Sequence, residues 1–111
     1  MLRIDKTEDG HCTVLLLDGE LSYDTIDLLA RKVEENRRQG EHHIVLDMSG
    51  VDFIDSSGAA CLMKLRGDAS DENEIMLAAL PASIHSSLMR LGIINSYRVY
   101  RSPADAVLKL R

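Results

Sequence analysis

Three continuous apolar runs, separated by helix-type patterns, constrain the fold of this chain more than any other feature of its sequence. The runs lie at residues 13–17, 44–46 and 75–80, and the second opens a predicted strand that continues to residue 48. Neighbouring side chains on a strand point to opposite faces, so a strand that is apolar at successive positions is typical of a sheet covered on both faces. Strands of this type that alternate with helices predict right-handed crossovers and a mostly parallel sheet.

The N-terminal residues depart from that alternation and predict an antiparallel hairpin. Residues 3–7 are interpreted as a strand, and Glu8, Asp9 and Gly10 supply turn chemistry before the apolar run at 13–17. The predicted fold class is therefore α/β, with a mixed, mostly parallel sheet, an antiparallel edge hairpin and about four helices. The length predicts a single domain over residues 1–111.

The first helix is predicted between the second and third strands, over residues 24–39. Ser22 or Asp24 can cap its start, and Gly40 can end it with a left-handed backbone. Its apolar face repeats at helical spacing and consists of Ile26, Leu29, Ala30 and Val33.

Three further helices are predicted. One begins after Asp55 and ends near Arg66, where Gly67 can supply the left-handed residue that stops it. Ser102 can cap the last helix, which follows a short strand at 98–100. The helix between them shows an apolar stripe and a C-cap glycine, formed by Ile84, Leu88, Leu91 and Gly92.

Composition narrows the class of partner. The formal net charge is −5, and the chain has no Trp, one Phe and three Tyr, so it lacks the basic, aromatic-rich surface of a nucleic-acid-binding protein. The apolar run at 75–80 is far shorter than the roughly 20 residues of a membrane span, and the first residues lack the apolar region of a signal peptide. We therefore expect a cytoplasmic protein with a protein partner or a small ligand, and no membrane insertion.

The residues that bind metals in other proteins do not form a metal pattern here. Cys12 and Cys61 stand far apart without a Cys-x-x-Cys pairing, which fits a reducing cytosol and predicts small core residues. His42 and His43 are neighbours before a strand, where their side chains point to opposite faces, so we interpret them as a solvated pair. No metal site and no cofactor are predicted.

The segment Asp55-Ser56-Ser57-Gly58 is the candidate functional site. It follows the predicted strand at 44–48 and a polar turn, and it places two hydroxyls beside a carboxylate where a helix begins. Backbone N–H groups at a helix N-terminus lack intrahelical partners and the macrodipole is positive there, so a phosphate on Ser56 or Ser57 would be tolerated. A serine-rich N-cap without chemistry is the alternative at this point.

With Gly19-Glu20-Leu21 and Leu91-Gly92-Ile93 added to this segment, the chain resembles the STAS family over nearly its whole length. Bacterial anti-sigma factor antagonists and the cytoplasmic tails of sulfate transporters share that domain. The resemblance to the antagonists implies that a partner acting as both anti-sigma factor and serine kinase binds the unmodified protein and phosphorylates Ser56, and that a phosphatase reverses the modification. The partner-binding residues it implies are Glu20, Ser22, Asp24, Asp55, Ser57 and Gly58.

The chain departs from the family pattern near this segment. The usual Gly-Glu-Leu/Ile-Asp motif ends in Ser22, so the aspartate that helps contact the kinase is missing, and Asp24 could substitute for it. The usual Leu-Gly after Ser-Ser-Gly is replaced by Ala59 and Ala60, which should stiffen the start of the helix. Gly58 is expected to let a partner's backbone approach the acceptor.

Two other classes of function compete with the antagonist. A STAS subunit with a structural or regulatory role, in a lipid-transport complex or a stress-sensing scaffold, would explain Ser22 and Ala60. A receiver domain would use Asp47 but lacks its accompanying acidic pair, Ser/Thr and Lys, and a serine hydrolase would need a nucleophile elbow that Ser56 lacks. His85 is interpreted as a surface residue, and no enzymatic activity is expected.

Overall fold

Five strands form one sheet in the computed structural model, which describes residues 1–40, 43–71 and 74–110. They lie side by side in chain order: β1 (Leu2–Asp9), β2 (Cys12–Leu21), β3 (His43–Ile54), β4 (Ile75–Ala78) and β5 (Val99–Tyr100). β1 and β2 are antiparallel, and the later neighbours are parallel. The predicted α/β class, with a mostly parallel sheet and an antiparallel edge hairpin, is confirmed.

The described residues form four α-helices, namely α1 (Ile26–Arg38), α2 (Ser56–Asp68), α3 (Ala82–Arg90) and α4 (Pro103–Lys109), and a 3₁₀ turn at Ile94–Ser96. Helices α1, α2 and α3 pack on one face of the sheet through their apolar stripes. The helix side chains buried there include Leu29, Val33, Ala59, Leu62, Leu65, Ile84 and Leu88. The facing strand residues include Leu15, Leu17, Ile44, Leu46, Met48, Ile75 and Leu77.

A smaller core lies on the opposite face of the sheet, under α4. Ala106 and Val107 of α4 cover Cys12, Val14, Val45, Met76 and Ala78. The continuous apolar runs of β2, β3 and β4 are thus explained, because successive residues enter different cores. Cys12 is buried there, and the half-buried Cys61 of α2 packs against the larger core, where burial raises the pKa of its thiol.

Helix α1 begins later than predicted and without the predicted caps. Its N-cap is Thr25, and no side chain caps the helix. The Ser22 carbonyl accepts hydrogen bonds from the N–H groups of Thr25 and Ile26, at 2.9 and 3.0 Å, so the backbone starts the helix and the prediction for Ser22 and Asp24 was wrong. Gly40, at φ 83°, follows the helix end as predicted.

Strand β3 and helix α2 are both longer than predicted. β3 runs to Ile54 instead of residue 48, because residues 50–54 of the expected turn pair with the end of β2. α2 continues through Gly67 to Asp68, so Gly67 is a helical residue and does not stop the helix. The Lys64 ammonium holds the Asp68 carboxylate at 2.8 Å in the last turn, which favours the extra residues.

The last elements follow the predictions more closely. Ile84 and Leu88 are buried, but Leu91 is exposed because α3 ends at Arg90. Gly92 then takes a left-handed backbone, as predicted for a C-cap glycine. The Ser102 hydroxyl caps α4 by accepting a hydrogen bond from the Asp105 N–H at 3.1 Å, which confirms the predicted start.

Two features are absent from the residues that the structure describes. No helix there is long and apolar enough to cross a membrane. No group of three or more His, Cys, Asp or Glu side chains in that part of the chain could hold a metal ion. His42 lies outside the described residues, and His43 is a half-buried residue of β3 that pairs with Cys12.

Candidate functional site

The ends of β2 and β3 bring the two predicted site segments together. Leu21 pairs with Ile54 at the last position of the two parallel strands, so the connections that follow start at the same edge of the sheet. The Asp55 N–H donates to the Leu21 carbonyl at 3.1 Å, which extends the pairing by one residue. Segments 20–24 and 55–58, more than 30 positions apart in the sequence, therefore form one surface.

Asp55 holds this surface together. It is the N-cap of α2, and its Oδ1 accepts a hydrogen bond from the Gly58 N–H at 2.8 Å. Its Oδ2 accepts from the Tyr23 N–H at 3.2 Å, in the connection between β2 and α1. The Gly58 N–H bond is the main cause that lowers the pKa of Asp55, against a smaller effect of desolvation, and the Tyr23 N–H adds to the lowering.

Ser56 is the more accessible of the two serines. It is exposed at the first position of α2, whereas Ser57 is half-buried. Within the described part of the chain, the Ser56 hydroxyl makes no hydrogen bond. An exposed hydroxyl on the first turn of a helix, beside an ionised carboxylate, is accessible from solution, and the helix dipole would favour a negative charge added there.

Gly58 is buried, so a partner's backbone cannot approach it as expected from the sequence. A Cβ added at this position would lie 2.2 Å from the Leu21 carbonyl oxygen and 3.0 Å from Cγ1 of Ile54. The absence of a side chain therefore lets α2 start directly against the end of β2. We correct the expected role of Gly58 from a partner contact to close packing that positions Ser56.

Ser22 is also inside the protein. It is only 7% exposed, and its Oγ has no hydrogen-bond partner among the described residues. Its backbone N–H donates to Thr25 Oγ1 at 2.9 Å, and Thr25 Oγ1 in turn donates to the Glu20 carbonyl at 2.7 Å. Ser22 therefore shapes the connection from within and does not present its side chain to a partner.

The remaining predicted residues lie around Ser56 with different exposure. Asp24 is exposed, and half-buried Glu20 forms an ion pair with the N-terminal ammonium of Met1 at 3.2 Å. Of the two alanines that depart from the family pattern, Ala59 is buried in the larger core and Ala60 is exposed. Only the second of these changes the surface next to the acceptor.

Two exposed aromatic residues at this edge were not predicted. Tyr23 is 76% exposed and follows Ser22, and Phe53 is 52% exposed and pairs with Glu20 in the sheet. The exposure of Phe53 in a strand was not predicted, because the sequence pattern of residues 49–54 indicates a polar turn. The sequence did contain a signal for them. The chain has only four aromatic residues, and two of these lie within three positions of the Gly19-Glu20-Leu21 motif or of the Asp55–Gly58 segment.

A profile of the STAS domain matches residues 3–106 of this chain. The chain belongs to the STAS domain family. An anti-sigma F factor antagonist from Paenibacillus polymyxa is 26% identical to this STAS protein over 112 residues, which cover 98% of this chain and 95% of the relative. The membership confirms the resemblance inferred from the sequence motifs.

Solved structures of proteins with different names share this fold. An anti-sigma factor antagonist from Mycobacterium paratuberculosis superposes with a TM-score of 0.87, at 17% identity, over 98% of this chain and 93% of that one. A sulfate transporter family protein from Wolinella succinogenes gives a TM-score of 0.78, at 18% identity, over 94% and 88% of the two chains. The fold alone therefore does not separate an anti-sigma factor antagonist from a sulfate transporter family protein.

Proposed function

We propose that this STAS protein is an anti-sigma factor antagonist that works as a protein-binding switch. Unmodified, it binds an anti-sigma factor that is also a serine kinase, and it thereby releases a sigma factor. Phosphorylation of Ser56 ends this binding, and a phosphatase restores it. The observation that carries the proposal is the exposed Ser56 hydroxyl on the first turn of α2, next to the capping carboxylate of Asp55.

The switch needs no catalysis by this chain. The kinase would bring ATP and Mg²⁺, the Ser56 oxygen would attack the γ-phosphorus and lose its proton, and ADP would leave. The added group carries a charge of about −1.5 to −2 at pH 7. At the helix N-terminus the fold tolerates it, but in a packed protein interface the added group must lose its bound water and takes up space, so binding is lost while folding is kept.

The name of the Paenibacillus relative supports this proposal, because the relative is an anti-sigma F factor antagonist and the match covers nearly both chains. Two features of the surface support it further. Asp24 is exposed near the place where the family pattern has its partner-binding aspartate, and Asp55 fixes the connection that carries it. We propose a cytoplasmic location, where sigma factors act.

The test is phosphorylation by each anti-sigma factor serine kinase encoded in the same genome. We expect one kinase to add a single phosphate that maps to Ser56, and Ser56→Ala to abolish the labelling. Ser57→Ala is the matched control, and it should keep the labelling because Ser57 is half-buried. Labelling of Ser57 alone, or persistent labelling of Ser56→Ala, would contradict the site. Absence of both binding and labelling with every kinase would favour the regulatory-subunit alternative.

A further inference from the structure

The distribution of the aromatic side chains singles out one edge of the molecule. The chain has four aromatic residues. Tyr97 is buried in the larger core, where its hydroxyl donates to the Leu62 carbonyl at 2.6 Å, and Tyr100 is half-buried against the smaller core. The other two, Tyr23 and Phe53, are the exposed ones, and both lie at the edge of the sheet that carries Ser56.

Both aromatic residues are attached to rigid backbone. Phe53 belongs to β3 and pairs with Glu20 of β2, and Tyr23 is tied to α2 by the hydrogen bond from its N–H to Asp55. Aromatic side chains that are exposed and held by ordered backbone lose little entropy when they bind, and they are enriched among the residues that dominate interface energies. A single exposed apolar residue needs no explanation, but two aromatic ones beside a candidate acceptor do.

The chain segments that carry these residues are acidic in sequence. The segments 18–30 and 47–63 contain no Lys or Arg, although the chain has 13 such residues. Arg3 lies 3.5 Å from Asp18, and the Met1 ammonium lies 3.2 Å from Glu20, so these two carboxylates have cationic partners. The acidic residues of the two segments are Asp18, Glu20, Asp24, Asp27, Asp47, Asp52 and Asp55.

We propose that Tyr23 and Phe53 are the apolar anchors of a docking surface for a protein partner whose contact surface has basic side chains around an apolar pocket. The inference rests on the proposed function, because it describes the surface by which the unmodified protein would bind its kinase. Acidic residues around the anchors repel a second copy of the same edge, nucleic acid and anionic lipid alike, and they attract a cationic protein surface.

Site-specific photocrosslinking in the native cell tests this surface even while the partner is unidentified. Photoreactive benzoylphenylalanine replaces Tyr23, Phe53 or Leu108 in turn, and the adduct and its crosslinked peptide are identified by mass spectrometry. Leu108 is the matched control, because it is 63% exposed and apolar but lies on α4. We expect one protein to crosslink at positions 23 and 53, through a segment rich in Lys and Arg, and not at position 108.

The outcomes separate this inference from the proposed function. A basic partner that is an anti-sigma factor kinase supports both. A basic partner that is not a kinase supports the surface and contradicts the antagonist. Absence of an adduct at both positions, or an adduct through an acidic segment, overturns the surface, and it leaves the antagonist standing if a purified kinase still binds the wild-type protein.

Titration with the identified, purified partner then measures how much Tyr23 and Phe53 contribute to the binding affinity. We expect Tyr23→Ala and Phe53→Ala each to raise the Kd by about tenfold or more, with unchanged melting temperatures. Tyr23→Phe keeps the ring and should stay within about twofold of wild type, as should Leu108→Ala. Added salt should raise the Kd because the surfaces carry opposite charges. Unchanged affinity of both alanine variants would overturn the assignment.

Discussion

Asp55 has two structural roles at the residue scale. One carboxylate oxygen caps α2, and the other accepts a hydrogen bond from the Tyr23 N–H, so a single side chain fixes the start of α2 and the neighbouring connection relative to each other. Gly58 adds close contact between the start of α2 and the Leu21 carbonyl. The position of Ser56 therefore depends on two residues that are not themselves exposed.

Gly58→Ala should destabilise the protein by about 1–3 kcal/mol, because the new methyl group meets a backbone carbonyl that cannot turn away. Gly67→Ala is the control, since Gly67 lies in the same helix with no atom within 4 Å of an added Cβ. That control should stabilise by about 0.5–1 kcal/mol through helix propensity. Urea unfolding of both variants measures the difference, and equal effects at the two positions would contradict the packing role of Gly58.

Asp55→Asn should change how stability depends on pH. A carboxyl group whose pKa is lower in the folded state stabilises the protein above its unfolded pKa, and this contribution is lost as the pH falls through the folded pKa. The asparagine amide has one accepting oxygen and does not titrate. We therefore expect the stability advantage of the wild type over Asp55→Asn to shrink between about pH 5 and pH 3.

Urea midpoints of wild type and Asp55→Asn across that pH range provide the measurement. A difference that stays constant with pH would show that the Asp55 carboxylate does not stabilise the fold through its hydrogen bonds to Gly58 and Tyr23.

At the scale of elements, local patterns were sufficient where packing agreed with them. The apolar runs identified β2, β3 and β4, and the capping serine identified α4. Ser49, Gly50 and Asp52 suggested a turn but form a strand, because pairing with the end of β2 outweighs their local preference. The same long-range pairing includes the exposed Phe53. The sequence could therefore predict that Asp55 and Ser56 lie at the start of a helix, but not which neighbouring side chains reach the surface.

Ser102→Ala tests how far α4 depends on its cap. The Ser102 hydroxyl satisfies the Asp105 N–H at the start of a helix of only seven residues. We expect a loss of about 0.5–2 kcal/mol in the free energy of unfolding. Ser86→Ala, on the exposed side of α3, should stay within about 0.5 kcal/mol of wild type. A Ser102→Ala variant as stable as the Ser86→Ala control would contradict the capping role.

At the scale of the whole molecule, the two cores support different helices. The larger core joins the sheet to α1, α2 and α3, and its polar rim includes the Arg37–Glu74 ion pair at 3.1 Å. The smaller core lies under α4 on the opposite face. Because α2 is anchored in the larger core, the position of Ser56 depends on that side of the sheet. Changes in α4 should leave the shape of the Ser56 edge unaltered.

The double hydrogen bond of Asp55 also limits how far a modification of Ser56 can be sensed. The Gly58 N–H is already occupied by the carboxylate, so a phosphate would be added beside an existing negative charge without displacing it. The added phosphate changes the electrostatic field at this edge and requires no movement of the backbone. At physiological ionic strength a field of this kind fades within about 8 Å, so only a molecule touching this edge could distinguish the two states. A protein bound to α4 could not distinguish the phosphorylated state from the unmodified one.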